Sequence, residues 1–276
     1  SPSVGPGRFE GRNLHFGVRE HAMCAVMNGM TLHGGFRVYG ATFFVFADYC
    51  RPAIRLAAIM KLPVIYVFTH DSFNVGEDGP THEPVEQLAS LRCIPGLTVI
   101  RPADATESAA AWAAALRHTG GPVALLLTRQ NLPVIDRAVY PEARLLERGA
   151  YTLWQSADGA PGLILIASGS EVSLALEAAR ELAAEHTVRV VSMPSWELFE
   201  AQPQAYRDSV LPPDCPRRVA VEAGVSQGWE RYVGREGRTV TLEHFGASAP
   251  YQDLAEHFGF TAARVVDTAR GLGAGL

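Results

Sequence analysis

No apolar run in this 276-residue chain approaches the roughly 18–20 residues of a membrane-spanning helix. No basic block stands out either, and the formal net charge is −5. That balance argues against nucleic acid or an anionic membrane as the main partner, although a local cluster can still bind a small acidic ligand. Cysteine is scarce: Cys24, Cys50, Cys93 and Cys215, with no CxxC pair and no histidine at zinc-like spacing. They read as reduced, mostly buried core residues, which suits a cytoplasmic protein. The first twelve residues lack the apolar region of a signal peptide. They read as a loop inside a larger protein rather than as a natural start. No internal repeat or low-complexity stretch is evident.

What is present is an alternating α/β pattern. Residues 63–69 (PVIYVFT), 97–100, 122–128 (PVALLLT), 162–167 (GLILIA), 188–192 and 218–222 are continuous Val/Ile/Leu-rich runs, as expected of strands covered on both faces. Between them, helices are expected over 20–33, about 44–60, 85–93, 106–118 and 171–186. Met23, Val26, Met27 and Met30 form one helical stripe, ended by Gly34-Gly35 in a left-handed cap. Ser168-Gly169-Ser170-Glu171 reads as a capping box after a strand, a turn that initiates a helix and can also bind an anion. Strand, helix, strand in series implies parallel sheets with right-handed crossovers. Residues 131–148 have no clear period and hold two prolines, which places a boundary between domains 1–138 and 139–276. The first sheet is expected to lack its first strand and helix.

Three polar segments carry candidate chemistry. Residues 69–83 (THDSFNVGEDGPTHE) follow a strand, where open parallel sheets bind ligands. A metal site, a solvated loop and a sugar or phosphate site all fit the composition, although the spacing matches no standard metal motif. In residues 17–23 (GVREHAM), Glu20 opens a helix; it either complements the helix dipole or points a carboxyl group at a cofactor. In residues 42–49 (TFFVFADY), Phe43, Phe46 and Tyr49 fall at i, i+3, i+6, so one face carries three aromatics. Such a face is either core or a platform for a flat heteroaromatic ring.

Together and in order, these segments resemble transketolase. GVREHAM resembles the family's catalytic-glutamate motif, TFFVFADY its aromatic pyrimidine pocket, and THDS…VGEDGPTH its most specific signature. TRQN (128–131), ASGSEV (167–172), VVSMP (190–194) and VEAG (221–224) continue the resemblance, which runs from Gly11 to about Gly271. It implies two three-layer α/β domains: an open, mostly parallel pyrimidine-binding sheet, then a smaller mixed-sheet C-terminal domain. It implies thiamine diphosphate as cofactor and reversible transfer of a two-carbon ketol unit from a ketose phosphate to an aldose phosphate. Glu20 would hydrogen-bond the pyrimidine nitrogen in a protonated or shared-proton form, with Phe43, Phe46 and Tyr49 as the ring pocket. His70, Asp78, His82 and Arg129 would bind the sugar phosphate. Arg129 and His70 would face the phosphate and Asp78 a donor hydroxyl, while His82 would meet the transferred unit. His70 and His82 would join Glu20 as catalytic groups.

Two departures stand out. Phe73-Asn74 replaces the Ile-Gly of many relatives, at a loop position that suggests tolerance. The GDG…N segment that holds Mg2+ (or Ca2+) and diphosphate in this class is absent, since Asp78-Gly79 and Asp158-Gly159 lack the preceding Gly. The chain is therefore expected to bind no metal itself and to be inactive alone, its diphosphate-binding domain supplied in cis or in trans. A fragment of a longer enzyme is the preferred account and one subunit of a split enzyme the other. A homodimer is expected, with the site between subunits. The alternatives are a deoxyxylulose-phosphate synthase, a ketoacid dehydrogenase β-subunit, or a non-catalytic domain that binds or regulates a partner.

Overall fold

The computed structural model describes residues 2–272. The first half runs α1 (Glu20–His33), β1 (Tyr39–Phe43), α2 (Ala47–Ile59), β2 (Ile65–Thr69), α3 (Gln87–Arg92), β3 (Thr98–Ile100), α4 (Ala105–Arg117) and β4 (Val123–Leu127). Its four strands lie in the order β1-β2-β4-β3, all parallel. Side chains alternate between the two faces of such a sheet. Val64, Tyr66, Phe68, Ala124 and Leu126 join a core with residues of α1, α2 and α3. Ile65, Val67, Val123 and Leu125 join another with residues of α4. Burial on both faces is why these strands are uninterrupted in apolar residues.

The second half runs β5 (Tyr151–Gln155), β6 (Leu163–Ala167), α5 (Glu171–Leu182), β7 (Val188–Ser192), α6 (Trp196–Glu200), α7 (Gln204–Val210), β8 (Arg218–Val221), α8 (Glu230–Val233), β9 (Arg238–Val240), α9 (Tyr251–His257) and α10 (Ala262–Arg270). The sheet is mixed: five strands in the order β5-β7-β6-β8-β9, with only β5 antiparallel to its neighbour. Leu163, Leu165, Val188 and Val190 face α5 and α10. Ile164, Ile166 and Val191 face the tryptophans and tyrosine of Trp196, Trp229 and Tyr232. Each half is thus a sheet between two helical layers. Among the described residues no helix is long and apolar enough to cross a membrane.

Several sequence expectations need correction. The helix expected from about residue 44 starts as a 3-10 turn (Phe44–Phe46) and becomes α-helical only at Ala47. The Met23 stripe holds at Met23, Met27 and Met30, but Val26 is exposed and Cys24 takes its place in the core. Cys93 is exposed, whereas Cys24, Cys50 and Cys215 are buried; all four are free thiols. The capping box at 168–171 does not form. Ser170 makes no cap hydrogen bond, and the Glu171 carboxylate instead accepts from Arg101 and from the Ala223 N–H.

That carboxylate belongs to a buried polar seam joining the halves. Arg92 donates two hydrogen bonds to Glu222, at 2.6 and 2.8 Å. Ser168 and the Trp229 indole N–H donate to the same carboxylate. Burial alone would raise the pKa of Glu222, but Arg92 and Arg101 outweigh it and hold the group below the usual carboxylate range. An apolar cluster reinforces the seam: Phe73 and Val85 from the first half meet Ala223, Leu242, Leu254 and Phe260.

Candidate functional site

The site is assembled at the C-terminal ends of β1 and β2. Phe43 ends β1, Phe46 closes the 3-10 turn and Tyr49 lies in the first turn of α2. A 3-10 turn has three residues per turn, so side chains at i and i+3 eclipse. The rings line up accordingly: Phe43 and Phe46 are 6.3 Å apart and 9° from parallel, Phe46 and Tyr49 are 5.9 Å apart and 23° from parallel. Phe44, between them in sequence, points the other way into the core. The aromatic row is half-buried at one end, and Tyr49 is 61% exposed at the other.

Both signature histidines meet this row. His70 stacks on Phe43 with centroids 3.7 Å apart, and His82 approaches Phe46 edge-on at 5.7 Å. Each engages the hydroxyl of the preceding threonine through Nδ1 at 2.9 Å, His70 with Thr69 and His82 with Thr81. Nε2 is then the ring nitrogen each can offer a ligand. His70 has a backbone φ of +61°, one of two non-glycine positive values among the described residues, the other being Lys61. Such a conformation costs on the order of 1–3 kcal/mol and persists where the surroundings enforce it.

His70 is held below the usual histidine range, chiefly by desolvation, then by the positive charge of Arg129; Asp78 and Asp71 pull the other way. Arg129 and Asp78 therefore share its electrostatic neighbourhood, and both are exposed. Arg129 lies just past the end of β4. Glu20, half-buried, opens α1, and its carbonyl accepts a weak hydrogen bond from Cys50 Sγ in α2 at 3.9 Å. The histidines thus meet the aromatic row directly, Arg129 and Asp78 join through His70, and Glu20 adjoins α2, the helix that carries Tyr49. Among the described residues no group of three or more His, Cys, Asp or Glu side chains is placed to hold a metal ion.

The loop beneath is not the tolerant surface expected at Phe73-Asn74. Phe73 is 1% exposed and packs on Phe258 and Phe260, at 5.5 and 4.9 Å, while Asn74 donates to Ser72. Sequence reading gave Asp71 and Glu83 no role of their own within the 69–83 segment and passed over Arg101. Glu83 is buried against residues 246–247, where a Cβ at Gly246 would overlap its carboxylate. Arg101 has no exposed surface and pairs with Asp71 at 2.7 Å. Its local sequence carried no cue, because arginine is ordinarily exposed and is fully buried only when paired.

Residues 3–134 match the family model described as transketolase, pyrimidine binding domain, and residues 149–261 match the transketolase-like TK C-terminal domain. A transketolase of Geobacillus stearothermophilus is 57% identical over 97% of this chain. Transketolase from Leishmania mexicana superposes with a TM-score of 0.93 at 49% identity, over 98% of this chain and 39% of its own. A transketolase from Pichia stipitis, solved in complex with sedoheptulose 7-phosphate, gives 0.87 at 39% identity, over 94% of this chain and 37% of its own. The chain spans 40% of the length of the Geobacillus relative. It belongs to the transketolase family, of which it carries the pyrimidine-binding and C-terminal domains.

Proposed function

We propose that this chain forms half of the active site of a thiamine diphosphate-dependent transketolase, which moves a two-carbon ketol unit reversibly between sugar phosphates. The observation that carries the reading is the continuous surface of Tyr49, Phe46, Phe43, His70 and His82, where a flat ring platform adjoins two imidazoles. The near-parallel, partly exposed rings suit a pyrimidine stacked or slotted beside them. Thiamine diphosphate, when bound, supplies the electron sink that lets the carbon–carbon bond break and form. Within this chain, Glu20 hydrogen-bonds the pyrimidine nitrogen and holds or shares the proton there. Phe43, Phe46 and Tyr49 orient the ring. His82 touches the transferred unit and moves a proton through Nε2. Asp78 accepts a hydrogen bond from a donor hydroxyl. Arg129 binds phosphate oxygens with its planar fork, and His70, neutral near pH 7, donates from Nε2 to the same group.

The diphosphate and its Mg2+ or Ca2+ fall to a separate domain, supplied in cis or in trans. A homodimer is consistent with the apolar side chains that α1 and α2 leave to solvent: Leu32, Leu56 and Ile59 are 57, 51 and 59% exposed. The test is a ketol-transfer assay on the complete enzyme, this chain together with its diphosphate-binding domain, beside the 276-residue chain alone. Transfer is expected from the complete enzyme only. Glu20→Gln is expected to lower kcat by about 10²–10⁴-fold, the usual worth of a placed acid–base group. Substantial activity of the isolated chain, or full activity of the Gln variant, would overturn the reading.

A further inference from the structure

His70 does not hold its left-handed backbone by itself. The next residue, Asp71, is 3% exposed, and its Oδ2 accepts from Arg101 Nε at 2.7 Å. Arg101 leaves the end of β3 and is gripped on its far side by the second domain alone. Its N–H donates to the Pro194 carbonyl at 2.8 Å and its own carbonyl accepts from Gly169 N–H at 3.0 Å. Its guanidinium donates to the Ser168 carbonyl at 2.9 Å, to the Ser168 hydroxyl at 3.2 Å and to Glu171. Gly169, at φ +56°, has no room for a Cβ, because the guanidinium fills that space. The strand-to-helix turn that sequence suggested for an anion is therefore occupied by a cation of the protein's own.

The cluster is not built for stability alone. Among the described residues, one oxygen of Asp71 and one nitrogen of Arg101 are buried without partners, and a buried ion pair with unmet groups contributes little net stability. What the pair does accomplish is positional. It fixes the residue next to His70, while Phe43 fixes the imidazole face.

We propose that Arg101 and Asp71 are positioning residues, through which the C-terminal domain holds His70 where the phosphate of the sugar donor binds. This rests on the ketol-transfer reading above. With Asp71 released, the His70 backbone relaxes toward a common φ and the imidazole leaves Phe43. A phosphorylated donor loses a hydrogen bond, whereas an unphosphorylated ketol donor never made one.

The test is Asp71→Asn in the complete enzyme, with Arg101→Lys in its place should the first variant not fold. The KM of a phosphorylated donor is expected to rise about tenfold, the worth of a displaced charge-assisted hydrogen bond. kcat with that donor and KM with the unphosphorylated one stay within about twofold, unlike a general loss of fold, which would lower both alike. Equal effects on the two donors, or none on either, would overturn the proposal. A second readout does not need activity: the ring-current shift that Phe43 imposes on the His70 imidazole protons, read by NMR, should vanish in the variant. If the unsubstituted enzyme transfers no ketol unit, the functional reading fails. Retention of that shift would then overturn the positioning role, and its loss would support it.

Discussion

Glu83 is a carboxyl group with 2% of its surface exposed. Burial lifts it to about 7, while the backbone amides of Ala247 and Gly76 pull more weakly the other way. Its folded-state value thus lies above the roughly 4.3 of an unfolded glutamate. A group shifted in this direction contributes stability fully below the unfolded value and loses it as pH rises through the folded one. The stability of this chain should therefore fall across about pH 4.3 to 7 through Glu83. Glu83→Gln removes that slope. Scanning calorimetry is expected to show the variant melting several degrees above the parent near pH 8, with the gap closing near pH 5. An equal gap at both values would show that this carboxyl does not titrate there.

Helix starts show how differently two acidic caps are used. Asp104 caps α4 by accepting from Glu107 N–H at 2.8 Å, and also takes the Thr106 hydroxyl, Ile135 N–H at 2.9 Å and the Arg137 guanidinium. An ordinary N-cap is worth about 1 kcal/mol. Asp104→Ala also strands the buried Ile135 N–H, so about 2–4 kcal/mol is expected in urea unfolding. At α5 the acidic residue is diverted to Arg101, and no cap bond remains. The strands buried on both faces were legible in sequence because burial writes itself as uninterrupted apolar runs. Three strands were not read. β1 is an edge strand whose burial alternates between exposed and partly exposed residues. β5 is likewise an edge strand and half-covered. β9 is only three residues long. α6 to α9 span four to seven residues, too few to show a period. The aromatic row was legible because a spacing of three survives the change from strand to 3-10 turn to helix. The partners of Arg101 were not, since they lie 30 to 93 positions away in sequence.

For the molecule as a whole, the seam between the halves decides cooperativity. Arg92 lies over the Trp196 ring at 3.7 Å while gripping Glu222, and the pair is 5% and 1% exposed. Removing one partner of such a pair costs about 3–5 kcal/mol, because the other charge stays buried without its main counter-ion. Arg92→Met is expected to lower stability by that amount. It should also split a single unfolding transition into two, one followed by Trp112 in the first domain and the other by Trp229 in the second. Coincident transitions in the variant would show that the apolar cluster around Phe73 suffices to keep the halves together.

The guanidinium lodged in the turn after β6 has a consequence for anyone rebuilding this protein from parts. The second domain cannot be exchanged for a homologous one as a neutral module. A graft must bring a glycine at 169, an acid at 171 and a free carbonyl at 194, all shaped to receive Arg101. A hybrid that fuses cleanly at the linker but omits this socket would inherit both folds and lose the register between them.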